Sequence, residues 1–345
     1  MSSFQGDGTR PPRATIRDVS RVAGVSIKTV SRVLNNEKYV GAQTRQRIEA
    51  AMADLQFHPS SAARALAGHR SYQIALICDN PNPWYVYEVQ YGTRLRCQRD
   101  KVRMIAQPYD HNSPTLLEEI ISLIDQVHPD GLILTPPVAD YDHVLDELVQ
   151  RRVPFSRISP GTRLDCAPSS YLDNEQAARD MTRHLIALGH RRIGFIVGHR
   201  GYATSGQRLN GYIRALSEAG RGLDLSLVRQ GNFDFDSGGL AANELLDLPE
   251  PPTAIFASSD DMAAGALAAA HRRSVAVPDQ LSIAGFDDTA FASIVWPALT
   301  TVRQPVRALA EQAADLLLND DSAQPQRRRV HHELIVRDST GPAPV

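Results

Sequence analysis

TIRDVSRVAGVSIKTVSRVLN, residues 15–35, spells two short helices joined by a tight turn. Thr15 stands where a cap is needed, because its hydroxyl can accept a backbone N–H that has no partner inside the helix. Ile16, Val19, Val22 and Ala23 follow at helical spacing, and Gly24 supplies the bend. Ser26 caps a second helix whose apolar stripe is Val30, Val33 and Leu34. Its other face carries Ile27, Lys28, Thr29, Ser31 and Arg32, short or basic side chains suited to base edges and phosphates. The pattern predicts a helix-turn-helix, the motif whose second helix enters the DNA major groove. A helical hairpin that only packs would share much of it, so the residues that follow matter. Gly41 to Gln56 reads as a third helix with Ile48, Ala51, Met52 and Leu55 on one face. Phe57-His58-Pro59 then ends it, since proline disfavours helix in the residue before it. Three such helices hold enough apolar positions for a small all-α core.

The whole chain has 345 residues, which suggests two or three domains. At 42% hydrophobic and 22% charged it has the composition of an ordinary globular protein. Net charge is only −2, but residues 1–70 hold 11 Lys and Arg against 5 Asp and Glu. The remainder holds 26 against 34, so a basic head precedes an acidic body. That asymmetry fits phosphate attraction confined to one end, although a solvated basic surface would give the same numbers. Cys78, Cys97 and Cys166 are odd in number, far apart and without metal-ligand spacing, as reduced packing residues of a cytoplasmic protein would be. Residues 1–14 read as a disordered lead-in and not a signal peptide, and no apolar run approaches membrane-spanning length.

Between head (15–59) and body (72–339) lies SSAARALAGHRS, residues 60–71, with Leu66 its one large apolar side chain. It can form about two helical turns but has little to bury, so it is marginal alone and could fold against a surface. From Tyr72 onward, strands alternate with helices. IALIC (74–78), RMIAQPY (103–109), GLILT (131–135) and VPFSRIS (153–159) read as buried parallel strands, with helices near 84–99, 114–126 and 141–151. A second series follows: helix 174–188, strand 192–198, helix 205–219, strand 227–231, helix 237–247, strand 254–258, helix 260–272 and strand 281–286. Two runs of βα units imply two α/β lobes, with ligands bound beyond the carboxyl ends of the strands. Lobes that face each other make a cleft of a kind that holds small molecules.

These stretches, together with TRQRIEAAMADL, PSSAARALAG, GHRRIGFI, QRLNGY, DDMAAGAL and LSIAGFDDT, resemble the LacI-type (lactose repressor) family of bacterial transcription regulators from Thr15 to Ser339. The resemblance implies an all-α helix-turn-helix DNA-binding head and an α/β two-lobed periplasmic-binding-protein-like (type I) body with parallel sheets. It implies three crossings between lobes, placed near residues 160, 290 and 320, and sets 340–345 aside as a tail. Ile27, Lys28 and Arg32 then become base readers: Arg or Lys can donate to guanine, and Ile27 can touch a thymine methyl. Thr15, Ser26, Thr29, Ser31 and Thr44 contact phosphates or cap helices. One departure is Gly41, where the family often has serine; glycine offers no hydroxyl to a phosphate. Residues 60–71 become a hinge helix that forms on DNA, with Ser60 and Ala63 against it and Leu66 wedged into the minor groove.

In the cleft, Arg208 and Asp287 match the family's effector-binding pair, and a guanidinium beside a carboxylate suits neighbouring hydroxyls. Asn80, Trp84, Thr135, Phe233, Ser259 and Gln304 are further candidates, with Trp84 or Phe233 able to stack on a pyranose ring. The expected partners are a pseudo-palindromic double-stranded DNA operator, a small-molecule effector of the sugar class and a second copy of the chain, with no membrane. A purine or nucleoside effector is the alternative. No leucine heptads follow Ser339, so a homodimer is expected and not a coiled-coil tetramer. Catalytic residues, metal and cofactor are expected to be none: G-x-S-x-G and P-loop patterns are missing, and His331-His332-Glu333 lacks a zinc protease's second histidine. A solute receptor without DNA activity is a poor fit, because such a receptor has no use for the head. Asp260-Asp261 and Asp287-Asp288 are carboxylate pairs that capping and ligand binding would explain.

Overall fold

The chain is described by a computed structural model over residues 14–34, 39–57, 70–319 and 324–344. Ser60, Ala63 and Leu66, and with them most of the expected hinge helix and the lead-in, lie outside these residues.

The head is three helices, α1 (Ile16–Ala23), α2 (Ile27–Leu34) and α3 (Ala42–Asp54). Thr15 caps α1 reciprocally: its hydroxyl accepts the Asp18 N–H at 3.4 Å, and the Asp18 carboxylate accepts the Thr15 N–H at 2.9 Å. Gly24 has φ 63° and ψ 37°, the left-handed conformation that ends a helix, and its N–H returns to the Ser20 carbonyl. Val25 also donates its N–H to Ser20 O, which aims the chain into α2. Val19, Ala23, Val30, Val33, Ile48, Ala51 and Phe57 form the core. The third helix starts one residue later than its pattern suggested, because Gly41 is the cap and contributes no side-chain bond.

The body holds two six-stranded sheets. In chain order, the first lobe builds β1 (Gln73–Cys78), α4 (Pro83–Arg99), β2 (Arg103–Pro108), α5 (Leu116–Val127), β3 (Gly131–Leu134), α6 (Asp142–Gln150), β4 (Phe155–Ile158) and β5 (Ser169–Leu172). The second lobe adds α7 (Asn174–Ala187), β6 (Ile193–Val197), α8 (Ala203–Glu218), β7 (Val228–Gln230) and α9 (Phe235–Leu246). It continues with β8 (Ala254–Ala257), α10 (Asp260–Arg272), β9 (Ser282–Asp287) and β10 (Thr300–Arg303). Then α11 (Val306–Asn319) and β11 (Arg327–Val330) return to the first lobe, and β12 (Glu333–Ile335) closes the second. Strand orders are 11-5-4-3-1-2 and 12-10-9-8-6-7.

The crossings therefore fall after β5, after β10 and between β11 and β12, each some ten residues or more beyond its expected place near 160, 290 or 320. The cause is three strands that carry no continuous apolar run. In β5, SSYL, Ser170 is fully buried but donates its hydroxyl to Leu309 O of α11 at 2.8 Å, as Ser156 of β4 does to Ala313 O at 2.9 Å. Such serines anchor α11 without looking like core. The sheets also depart from all-parallel, since β12 runs antiparallel to β10. Residues 340–344 are no loose tail: Gly341 donates its N–H to Ser282 Oγ at 3.0 Å and Ala343 to Leu188 O at 2.8 Å.

Candidate effector cavity and DNA-reading face

On α2, Val30 and Val33 turn inward, while Ile27 (44% exposed), Lys28 and Arg32 share the outer surface. The helical period alone dictates this split. Ser26 accepts the Thr29 N–H at 3.1 Å, and the two hydroxyls lie 2.8 Å apart, so both serve the start of α2. Ser31 and Thr44 are half-buried.

In the body, a cavity of about 490 Å³, partly open to solvent, lies between the lobes at the carboxyl ends of the strands. From the expected set, Asn80, Arg208, Phe233, Ser259, Asp287 and Gln304 line it. Arg208 projects from α8 into a fully enclosed position. Its Nε donates to Asn174 Oδ1 at 3.0 Å, its Nη2 to Gln304 Oε1 at 2.9 Å, and its Nη1 to the Ser258 carbonyl. The guanidinium lies 3.6 Å from the Phe286 ring centroid and 5.7 Å from that of Phe233. Of its five N–H donors, these bonds use three and leave two beside the Asp287 carboxylate, 4.0 Å away. Burial pushes the Arg208 pKa down to about 10, which still leaves it charged at neutral pH. Burial drives the Asp287 carboxyl well up, opposed by Arg208. Asp287 also has φ 121°, a conformation that non-glycine residues rarely adopt and that clusters at ligand sites.

Two expected residues do not line the cavity. Trp84 packs on the hydrophobic core, and the next residue, about 100° further round α4, is Tyr85, which faces the cavity. Thr135 is fully buried and returns its hydroxyl to Ile77 O at 3.2 Å, leaving Pro136 on the surface of the site. Sequence reasoning also missed Asn82, Ser159, Tyr202 and Thr204. Asn82 had a readable signal, Asn-Pro at a helix start; its Oδ1 caps α4 at 2.9 Å from Trp84 N. Its Nδ2 reaches across to Asp261 Oδ2 of the other lobe at 2.5 Å.

The carboxylate pairs divide their labour. Asp260 is a buried hub that accepts from Thr289 N at 2.7 Å and Thr301 Oγ1 at 2.6 Å. Asp288 is bound by Arg303 at 2.7 Å and Arg337 at 2.6 Å. Of the HHE run, His332 meets Asp180 at 3.0 Å and Glu333 meets Arg303 at 2.6 Å. Cys78 and Cys97 are free, buried thiols that burial pushes up to about 11, and Cys166 is free and half-buried.

Residues 15–60 match the profile of bacterial regulatory proteins of the lacI family, and residues 182–340 that of a periplasmic binding protein-like domain. The HTH-type transcriptional regulator DegA of Bacillus subtilis (strain 168) is 34% identical over 336 residues, 96% of this chain and 99% of its own. The chain belongs to the lacI family. Among solved lacI-type structures, the Lac repressor dimer bound to operator and the anti-inducer ONPF superimposes with a TM-score of 0.81 at 27% identity, covering 95% of this chain and 99% of that one. The transcriptional regulator CelR in complex with cellobiose gives 0.72 at 29% identity, covering 95% and 100%. This lacI-family chain is thus a DNA-binding transcriptional regulator with an effector-binding body, and its relatives are regulators and not enzymes. Among the described residues, no helix is long and apolar enough to cross a membrane.

Proposed function

We propose that the chain is a homodimeric repressor of genes for carbohydrate uptake or breakdown, released or tightened on its operator by a sugar. The observation that carries the sugar reading is the Arg208–Asp287 pair. Two free guanidinium donors beside a carboxylate, walled by Tyr85, Tyr202 and Phe233, match adjacent hydroxyls on one ring face and apolar C–H on the other. The cellobiose bound by CelR is a ligand of that class. In the head, Ile27, Lys28 and Arg32 read the half-site, with Thr15, Ser26, Thr29, Ser31 and Thr44 at or near the phosphates. Ser60, Ala63 and Leu66 belong to a hinge that folds into the minor groove and bends the duplex.

Dimerisation is supported by Ile294 and Trp296, 78% and 81% exposed on the loop after β9. Apolar side chains left out in pairs mark a surface to be covered, and the Lac repressor neighbour is a dimer. A dimer's two heads would span the two halves of a pseudo-palindrome. The effector acts through the difference in its affinity for the two states of the body, and that difference is the whole of its leverage on DNA.

Thermal denaturation against mono- and disaccharides tests the effector class, because a ligand specific for the folded state raises the melting temperature. A sugar is expected to do so and to change the mobility of an operator complex in a gel. A purine or nucleoside that raises the melting temperature while every sugar is silent would overturn the reading.

A further inference from the structure

The second lobe's wall of the effector cavity holds more carboxylates than cations. Asp287 lines the cavity at the end of β9, and Ser259, which also lines it, caps α10 directly before Asp260 and Asp261. Thr289, two residues past Asp287, donates its N–H to the buried Asp260 at 2.7 Å, so the two carboxyl sites share one corner of the lobe. Asp261 meets the cavity-lining Asn82 only through a neutral amide. Asp234, the cap of α9, lies close enough for its charge to raise the Asp261 carboxyl.

Against these four acids stands Arg208, 4.0 Å from Asp287. Among the described residues, no other cation pairs with Asp234, Asp260, Asp261 or Asp287. The nearest further arginines along the strands, Arg303 and Arg337, are matched by Asp288 and Glu333. The N-terminus of α10 adds about half a positive charge, so full ionisation would leave the wall with a surplus of roughly two negative charges. The free protein relieves that surplus with protons. Burial, with neighbouring carboxylates adding to it, pushes Asp260 up to about 7, Asp261 up to about 6 and Asp287 well above the ordinary carboxyl range.

We infer that the cavity selects an amino sugar, a hydroxylated ammonium, over the neutral sugar of the same ring. The inference rests on the sugar reading above and narrows it to a charge class. Among the described residues, no donor lies within hydrogen-bond distance of the Asp287 carboxyl, which faces the cavity. An ammonium brings that carboxyl three donors and the missing charge, whereas a hydroxyl brings one donor and no charge. Tyr85, Tyr202 and Phe233 add aromatic rings to the lining, a second attraction for a cation. The two remaining Arg208 donors call for acceptors, which sugar hydroxyls supply and a plain alkylamine does not. A sugar acid or sugar phosphate would gain Arg208 but meet the carboxylates. On binding, the ammonium takes the place of protons held by the wall, and those protons pass to the buffer.

The full-length protein is titrated calorimetrically at about pH 6, where an amine keeps its proton. The ligands are matched sets: D-glucosamine, D-glucose and N-acetyl-D-glucosamine, then D-galactosamine, D-galactose and N-acetyl-D-galactosamine. One amine is expected to bind about tenfold more tightly than its neutral partner, and N-acetylation, which removes the charge, should abolish the advantage. Titrations in buffers of different ionisation heat should show protons released by the amine and none by the neutral sugar. Asp261→Asn keeps the shape of the side chain and removes one charge, so the advantage should shrink to about threefold. An amine that binds no more tightly than its neutral partner, or an advantage undiminished in Asp261→Asn, overturns the inference. So does silence toward all six compounds while another neutral sugar raises the melting temperature, and in each of these cases the sugar reading survives. Silence toward every sugar, charged or neutral, overturns both.

Discussion

Arg208 and Asp287 are held in opposite ways. Arg208 is fixed by Asn174, Ser258 and Gln304, whereas Asp287 has an unfavourable backbone angle and a carboxyl that lies 4.0 Å from the Arg208 guanidinium. Stability and binding should therefore separate at Asp287. Asp287→Asn keeps the shape and removes a carboxyl that burial disfavours in its charged form, so the free protein should melt within a few degrees of wild type. The sugar-induced rise in melting temperature should vanish, and a retained rise would show that the carboxylate does not contact the ligand. Arg208 and Asp287, which both line the cavity, were singled out in the sequence through the family resemblance, in which they match an effector-binding pair. Tyr85 and Tyr202 were not, because nothing local in a sequence shows which aromatic side chains of two separate lobes will line one cavity.

Helix α8 shows how packing decides what a glycine is for. A Cβ at Gly206 would meet nothing within 4 Å, whereas at Gly211 it would drive into the Glu175 carbonyl of α7. Gly206→Ala should stabilise the protein by about 0.5–1 kcal/mol, by reducing the freedom of the unfolded chain. Gly211→Ala should destabilise it by about 1–3 kcal/mol, through forced separation of two packed helices. Chemical denaturation of the two variants side by side measures both signs, and a destabilised Gly206→Ala would refute the argument. Most elements were readable to within two residues, because long apolar runs and 3.6-residue stripes leave few alternatives. The exceptions were β5, β10, α11, β11 and β12, and among them SSYL, TTVR and RRRV of β5, β10 and β11 carry polar or charged residues into the sheets. The placement of those three strands depends on partners outside each strand: α11 for the buried Ser170, Asp260 for the buried Thr301, and Asp315 for the half-exposed Arg328 at 2.6 Å. A local pattern contains none of that information, so the crossings read too early.

For the molecule as a whole, the bond from Asn82 to Asp261 is a direct tie between lobes next to the cavity. Burial, with the negative charge of Asp234 adding to it, raises the Asp261 carboxyl to about 6. A carboxyl that holds its proton more tightly when folded contributes stability in acid and loses it as pH rises. The contribution is whole below about 4 and gone above about 6, the interval between its unfolded and folded values. The melting temperature of wild type relative to Asp261→Asn should therefore fall as pH goes from 4 to 7, and a difference independent of pH would contradict it.

Threading the chain three times between lobes also sets a timetable for biosynthesis. The head's three helices are complete within the first 54 residues to leave the ribosome. The first lobe cannot finish its sheet until β11 arrives to pair with β5, more than 150 residues after that strand was made. At about 5–20 residues per second that is roughly ten to thirty seconds. During this interval the nascent chain carries a finished DNA-binding unit and an unfinished sensor. A chain broken off anywhere before Arg327 leaves both body sheets short of an edge strand, because β12 follows β11 directly. Premature termination thus leaves heads joined to an unfinished sensor, and only a chain translated past β12 carries both sheets complete.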